Sequence, residues 1–463
     1  MSKKCCTFAA VMKKIALSLI VLALSWSAFA IPTYDLSYRL SGMAGASISQ
    51  DLKLEKNALR PTLGGSFVVE FNPTGRWRCL QQWNNATIGV GASYMNLGND
   101  SILGHAVNLY GSFNFPFYNS RHFRIGIRPS VGISICNKRY SNTCPVGQII
   151  DPNKDPDDPQ NRYALWGNDG GFQKSNQHIG SILNGYMAAE IFMDFPIRDG
   201  WEITANGGWY HISNCSFMAP NGGYNIFGGE LGVRYHPQKR GVFTPRTDVP
   251  RRLWDGVDKP WAVEISASGG ARQNYYRDNI QGMHFFGVAA LKVAAYWVPI
   301  SIFRLGAGFD AFYDGYYACV SYEQNNPDKS PGNAQGNTIG YFQKTYLAES
   351  DVKNCFRVGF SIQPELIIGK LTAGIHVGVY LFDPIKNLEP FADAKAAADK
   401  GESLNKGIFY NYDFTRAGLK EDGWCYMHFV LKYHVLDHMF IQIGMKSHGL
   451  TAEFLDAGLG VAF

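Results

Sequence analysis

The strongest constraint on how this chain can fold is a two-residue alternation, apolar against small, polar or charged, that recurs about sixteen times along it. Tyr34, Leu36, Tyr38 and Leu40 alternate with Asp35, Ser37 and Arg39, and Phe123, Ile125, Ile127, Val131 and Ile133 with Arg124, Gly126, Arg128 and Ser130. Phe303 to Ala311 and Phe356 to Ile362 repeat it, and Leu371 to Leu381 carries it past Pro364. Successive side chains of a strand point to opposite faces, so each run is a strand with one apolar face. Fifty glycines, 65 aromatic residues and 17% charged residues over 463 positions fit a Gly- and aromatic-rich β-protein. A soluble sandwich would show the same period with its apolar face inward, so periodicity alone does not choose between sandwich and membrane barrel.

The start of the chain and the connection lengths choose. Residues 1–30 read as a secretory signal peptide: Lys13 and Lys14, an apolar run from Ile15 to Leu24, and Ala28-Phe29-Ala30 as an A-x-A-like site with cleavage expected after Ala30. Cys5 and Cys6 precede the apolar run, which argues against a lipid anchor. Removing four lysines takes the formal balance from +5 to +1, and no basic tract suggests nucleic acid.

Strands are expected near 33–46, 62–72, 84–98, 103–116, 121–135, 179–194, 199–213, 223–236, 261–274, 282–298, 302–316, 354–368, 371–383, 424–436, 438–448 and 452–463. With a periplasmic start, the odd connections face outward and include the three longest, 136–178, 317–353 and 384–423. Most even ones are tight turns, such as Arg198-Asp199-Gly200. This is the outer-membrane pattern, and backbone groups that cannot stay unpaired in lipid require closure. The expected fold is therefore an all-β, transmembrane, antiparallel outer-membrane barrel. One barrel of about sixteen strands is favoured over two tandem eight-stranded ones.

Gly229 to Tyr235 and Ala457 to Phe463 parallel each other, suggesting an internal duplication with halves 31–236 and 261–463. The Pro- and Arg-rich stretch 237–260 between them is the one long even connection, read as a periplasmic excursion. The final alternating residues ending in Phe463 resemble the C-terminal assembly signal of such barrels.

One hairpin carries chemistry. From Trp201 to Tyr235, the lipid-facing phase holds Trp209, His211 and Ser213 on the first strand, and Asn225 and Phe227 on the second. Glu230 and Arg234 fall on the lumen side. A His/Ser pair alone is weak, since interfacial residues meeting headgroups read the same way. The longer pattern is specific: His211-Ile212-Ser213-Asn214, five residues, then Pro220-Asn221-Gly222-Gly223-Tyr224-Asn225. It resembles the H-x-S-N, P-N-x-G-x-E motif of the PagL-type lipid A 3-O-deacylases, also called the acyloxyacyl hydrolase family. The resemblance implies Ser213 as nucleophile, His211 as base, and Asn221 as oxyanion donor with Asn214 beside it. It places Asn225 where the family's acid stands, as in some longer members.

Ester cleavage needs an activated hydroxyl, a group orienting its base, and donors for the oxyanion, which these residue types supply. An orienting Asn can hold the imidazole tautomer but cannot stabilise imidazolium as a carboxylate does. Glu230 is the tempting substitute acid, but strand parity puts it in the lumen. Trp209 and Phe227 could line an acyl groove or belong to an aromatic girdle. The implied partner is lipid A or lipopolysaccharide of a Gram-negative outer leaflet, met from within the membrane. No cofactor or metal is expected, and a homodimer is left open.

Other signals are weaker. Seven cysteines follow the leader; Cys136 with Cys144 and Cys319 with Cys355 could be bridged. Cys215 has no base spaced around it and reads as a structural thiol. Asp151, Asn153, Asp155 and Asp157 resemble a calcium loop, but Pro156 and Arg162 stand where its turn Gly and bidentate Glu belong. The second half has no copy of the dyad, Ser447 and His448 being adjacent and hence expected on opposite faces. Two functions stand: a lipid A ester hydrolase, or a non-catalytic porin or uptake channel.

Overall fold

A computed structural model describes residues 35–48, 60–72, 78–100, 102–120, 122–139, 176, 178–198, 200–218, 221–237, 260–273, 285–315, 352–384, 425–448 and 451–463. The leader 1–30, the acidic stretch 151–162, Cys144, Cys319 and nearly all of 237–260 lie outside these residues, and with them both proposed disulfides.

Among the described residues, the alternating runs form sixteen antiparallel strands. The first eight are β1 (Asp35–Ser47), β2 (Thr62–Asn72), β3 (Thr87–Asn96), β4 (His105–Asn119), β5 (Arg124–Cys136), β6 (Leu183–Arg198), β7 (Trp201–Ser213) and β8 (Tyr224–Tyr235). The others are β9 (Trp261–Arg272), β10 (Phe286–Ile300), β11 (Phe303–Asp314), β12 (Phe356–Ile368), β13 (Leu371–Phe382), β14 (Cys425–Leu436), β15 (Met439–His448) and β16 (Thr451–Ala462). β6 starts later than expected because Ser181, just ahead of it, turns away to bond the Leu183 carbonyl and the Asn184 side chain.

The expected single sixteen-stranded barrel does not form. β8 turns back to pair with β1, from Tyr38↔Tyr235 to Ser47↔Ile226. β16 pairs with β9, from Ala457↔Gly269 to Ala462↔Glu264. The chain is two tandem eight-stranded closed barrels. The parallel between Gly229–Tyr235 and Ala457–Phe463 is thus the parallel of two closing strands.

The reason lies in the lumens. An eight-stranded barrel is just wide enough for side chains to fill, and the inward residues here are long charges that meet across it. Arg39 and Arg234 face each other at the β1–β8 seam and are both buried. Such a like-charge pair stands only because Glu70 reaches both, at 3.2 Å from Arg39 Nε and 2.6 Å from Arg234 Nε. Arg234 also meets Glu202 at 2.6 Å and Asp194 at 2.8 Å, and Arg39 meets Glu230 at 3.1 Å. In the second barrel Lys432 pairs with Glu264 and Glu365 at 2.7 Å, and Arg304 with the same two carboxylates at 2.6 Å. A sixteen-stranded ring would hold these groups too far apart to meet.

Outside, the order is reversed. Leu40, Val90, Ile127, Ile191 and Leu231 on the first barrel, and Ile265, Phe309, Ile362 and Ile443 on the second, are exposed. Apolar bands around charged interiors are the membrane-barrel arrangement, the inverse of a soluble sandwich.

The barrels stand side by side with like ends together. At the short-turn end, the connection between β2 and β3 is long, a second exception among the even connections, and holds helix α1 (Arg78–Gln82). Leu80, Ala86 and Trp83 from this connection pack with Ile368 and Leu371, and Trp83 Nε1 donates to the Ile367 carbonyl at 3.3 Å. At the other end, Ser216 Oγ donates to the Ala452 carbonyl at 2.8 Å, and the Gln273 amide donates to the Ser216 carbonyl at 3.0 Å.

Ser447 and His448 are consecutive in the ladder, paired with Ala452 and Thr451 of β16. The register shifts between Lys446 and Ser447, and both residues are buried, with His448 bonded to Tyr380 and facing Glu453. The extra residue of this bulge is Glu453, so it resets the parity of β16 and leaves the alternation of β15 intact.

Glu70→Gln leaves Arg39 and Arg234 confronting each other with their shared anion gone. The expected cost is about 3 to 5 kcal/mol, read as a lower temperature for loss of the heat-modifiable gel mobility of the folded barrel. Val131→Ala, on the exposed outer face, should shift that temperature little.

Candidate active site

β7 and β8 pair so that His211 lies opposite Asn225, with Ser213 two residues further on the same outward face. His211 Nε2 is 2.8 Å from Ser213 Oγ and Nδ1 is 2.8 Å from Asn225 Oδ1. Proton positions follow from a neighbour. Trp209 Nε1, which can only donate, lies 2.9 Å from the same Asn225 oxygen. That atom must therefore be the amide oxygen, the acceptor. Nδ1 of His211 then carries the proton and donates to it, and the bare Nε2 accepts the Ser213 hydroxyl proton. One carbonyl oxygen with two lone pairs thus fixes the tautomer a general base needs. The Trp209 ring stacks on the imidazole, with centroids 5.2 Å apart and planes at 22°.

The connection after Ser213 is strained. Cys215 and Ser216 have φ of 52° and 62°, a region non-glycine residues rarely occupy. With the Phe217 amide donating to the Asn214 carbonyl at 3.0 Å, they form a tight turn of type I′. The Asn214 side chain holds it, donating to the Met218 carbonyl at 2.8 Å and Ser181 Oγ at 3.1 Å while accepting from the Met218 amide. Asn214 is thus a loop staple, its side chain committed to structure rather than aimed at a substrate. Asn221 Oδ1 accepts from the Asn214 backbone amide at 3.0 Å, which leaves its amide nitrogen as the donor available to an oxyanion.

Gly223 is indispensable on two counts. Its φ is +68°, and a Cβ there would lie 2.9 Å from His211 Cε1. Its amide donates to the His178 carbonyl at 3.1 Å, which holds the loop against the segment before β6. This is the fixed glycine of the sequence motif, so the signal was present in the pattern although no role was assigned to it. Parity alone offers Trp209 as a groove or girdle residue; its donor role depends on an oxygen across the strand pair.

Glu230 points into the lumen, where it meets Arg39 and accepts from Ser66 at 3.1 Å. It is far removed from the outward triad face. Cys215 is buried, with Sγ 3.9 Å from Ser213 Oγ. Burial pushes its thiol above the usual range, outweighing the hydrogen bond with Ser213, so it is a poor nucleophile. Phe227, the cross-strand partner of Trp209, is exposed on the outer wall.

Residues 261–392 match the family model described as acyloxyacyl hydrolase, C-terminal domain. That match lies in the second barrel, whereas the H-x-S-N pattern lies in the first. Similar solved structures include the outer membrane enzyme PagL, at 13% identity and TM-score 0.24 over 42% of this chain and 98% of that one. Neisserial surface protein A matches at 10% identity and TM-score 0.23 over 44% and 97%. The FrpB iron transporter from Neisseria meningitidis matches at 10% and 0.23 over 92% and 68%. No curated protein matches the chain.

Two substitutions test the arrangement through the rate at which a fluorophosphonate labels Ser213. Gly223→Ala should slow labelling by on the order of 100-fold, since the methyl displaces the imidazole. Trp209→Phe keeps the stacked ring but deletes the N–H, and should slow labelling about 3- to 10-fold through a looser Asn225.

Proposed function

We propose that this chain is an outer-membrane serine esterase that removes an ester-linked acyl or hydroxyacyl chain from lipid A. The observation that carries the reading is the Ser213–His211–Asn225 relay, complete in its hydrogen bonds and set on the outward, lipid-facing wall rather than in a lumen. The family match in the second barrel supports it.

The chemistry balances as acyl transfer to water. Ser213 Oγ attacks the ester carbonyl while its proton passes to His211 Nε2, giving a tetrahedral oxyanion and an imidazolium. The Asn221 amide nitrogen, its oxygen already engaged by the Asn214 amide, is the donor this reading assigns to the oxyanion. Collapse breaks the C–O bond to the sugar-borne oxygen, which leaves with the proton from Nε2. Water then attacks the acyl-serine, its proton taken by His211; the fatty acid departs and the Ser213 hydroxyl is restored. Asn225 holds the ring throughout, its oxygen bonded to Nδ1–H.

Location suggests the substrate. In the orientation expected from the sequence, the 214–222 connection faces outward, which puts Ser213 level with the outer leaflet. An acylated glycolipid would reach it by lateral diffusion. The competing channel reading has nothing to support it here, because both lumens are crossed by buried ion pairs.

Mass spectrometry of lipid A from cells expressing the wild type should show a species lighter by one acyl chain. Ser213→Ala, with the same heat-modifiable mobility, should leave lipid A intact. Identical spectra for the two would overturn the esterase reading.

A further inference from the structure

We propose that the second barrel builds one wall of the acyl-binding cleft at Ser213, with Met445 selecting the chain that fits. This rests on the esterase reading and assigns the second barrel a part in the reaction.

Cys215 Sγ, already against the nucleophile, lies 3.2 Å from Met445 Sδ of β15. Met445 belongs to the outer face of β15: Ile441 and Ile443, in the same phase, are exposed, whereas Gln442, Gly444 and Lys446 are buried. Its cross-strand neighbour is Leu455 of β16, also exposed. The lipid-facing wall of one barrel therefore stands one side chain from the nucleophile of the other. Ser213 itself is only 4% exposed, and the side chain crowding it is Cys215, backed by Met445. A flexible, unbranched thioether is well suited to a surface that must yield to an entering chain.

The arrangement is held rather than incidental. The strained Cys215–Ser216 turn is gripped by the second barrel at two polar groups of Ser216, its hydroxyl bonded to the Ala452 carbonyl and its own carbonyl to the Gln273 amide. Phe217 packs at a tilt against Phe285, with ring centroids 5.2 Å apart and planes at 47°. Strained backbone persists where its surroundings over-determine it. Away from these contacts the walls are unpacked: Leu231 below the triad is 67% exposed and Leu40 beside it 61%. The cleft we infer runs from the Cys215–Met445 contact at Ser213 down this exposed apolar wall. The occupant it fits is the acyl chain of the ester held at that serine.

The test compares p-nitrophenyl myristate with p-nitrophenyl butyrate as substrates for the full chain in detergent, reading the ratio of their kcat/KM values. Met445→Trp should fill the cleft and lower the myristate-to-butyrate ratio about tenfold or more. Met445→Ala should shift the ratio in the opposite direction. A general loss of stability would lower both rates and leave the ratio unmoved. Ratios within twofold of wild type in both variants, with folded mobility retained, would overturn the cleft and leave the esterase reading standing. A wild-type chain that cleaves neither ester overturns both.

Discussion

A strand in hydrocarbon has nowhere to place an unpaired N–H or C=O, and every feature of this chain answers to that requirement. It forces each sheet to close, and closure fixes how wide the interior can be. With eight strands the interior admits side chains and little else. The charges at Arg39, Glu70, Glu202 and Arg234 are then less a choice of lumen chemistry than the filling such a tube demands. They also lock it, because Glu70 on β2 ties together the two arginines of the closing seam.

Much of this was legible in the residues. Alternation gave the strands and their faces, because side-chain direction along a strand is a local property. It placed His211, Ser213 and Asn225 outward and Glu230 inward, where the structure also has them. Closure was not legible in the same way. Whether β8 meets β1 or β9 depends on which inward charges can reach one another across a lumen, and periodicity carries no information about that. The bulge opposite Lys446–Ser447 and the helix Arg78–Gln82 were missed for a related reason, since each interrupts the period rather than extending it. The Trp209 hydrogen bond needs a donor, an acceptor and a cross-strand offset at once, and the sequence shows only the first two.

The site also shows how strain can be shared between domains. A type I′ turn prefers Gly or Asn at its centre, and here it holds Cys215 and Ser216. Asn214 secures it from within the loop, and Ala452 and Gln273 secure it from the neighbouring barrel. The pattern of two barrels joined at both ends thus has a local counterpart in the geometry just after Ser213.

Asn225 has a consequence for how a charged lipid could approach. A carboxylate at that position would give the resting relay a formal charge of −1, set on a wall bordered by hydrocarbon and, in the proposed reaction, turned toward an anionic glycolipid. The amide removes that repulsion. In the reaction proposed above, the imidazolium and the oxyanion appear together, so the charge separation is internal and the site as a whole stays electroneutral from encounter to release. Such a relay gives up some stabilisation of imidazolium. In return, the proposed relay adds no net charge of its own to repel an anionic headgroup.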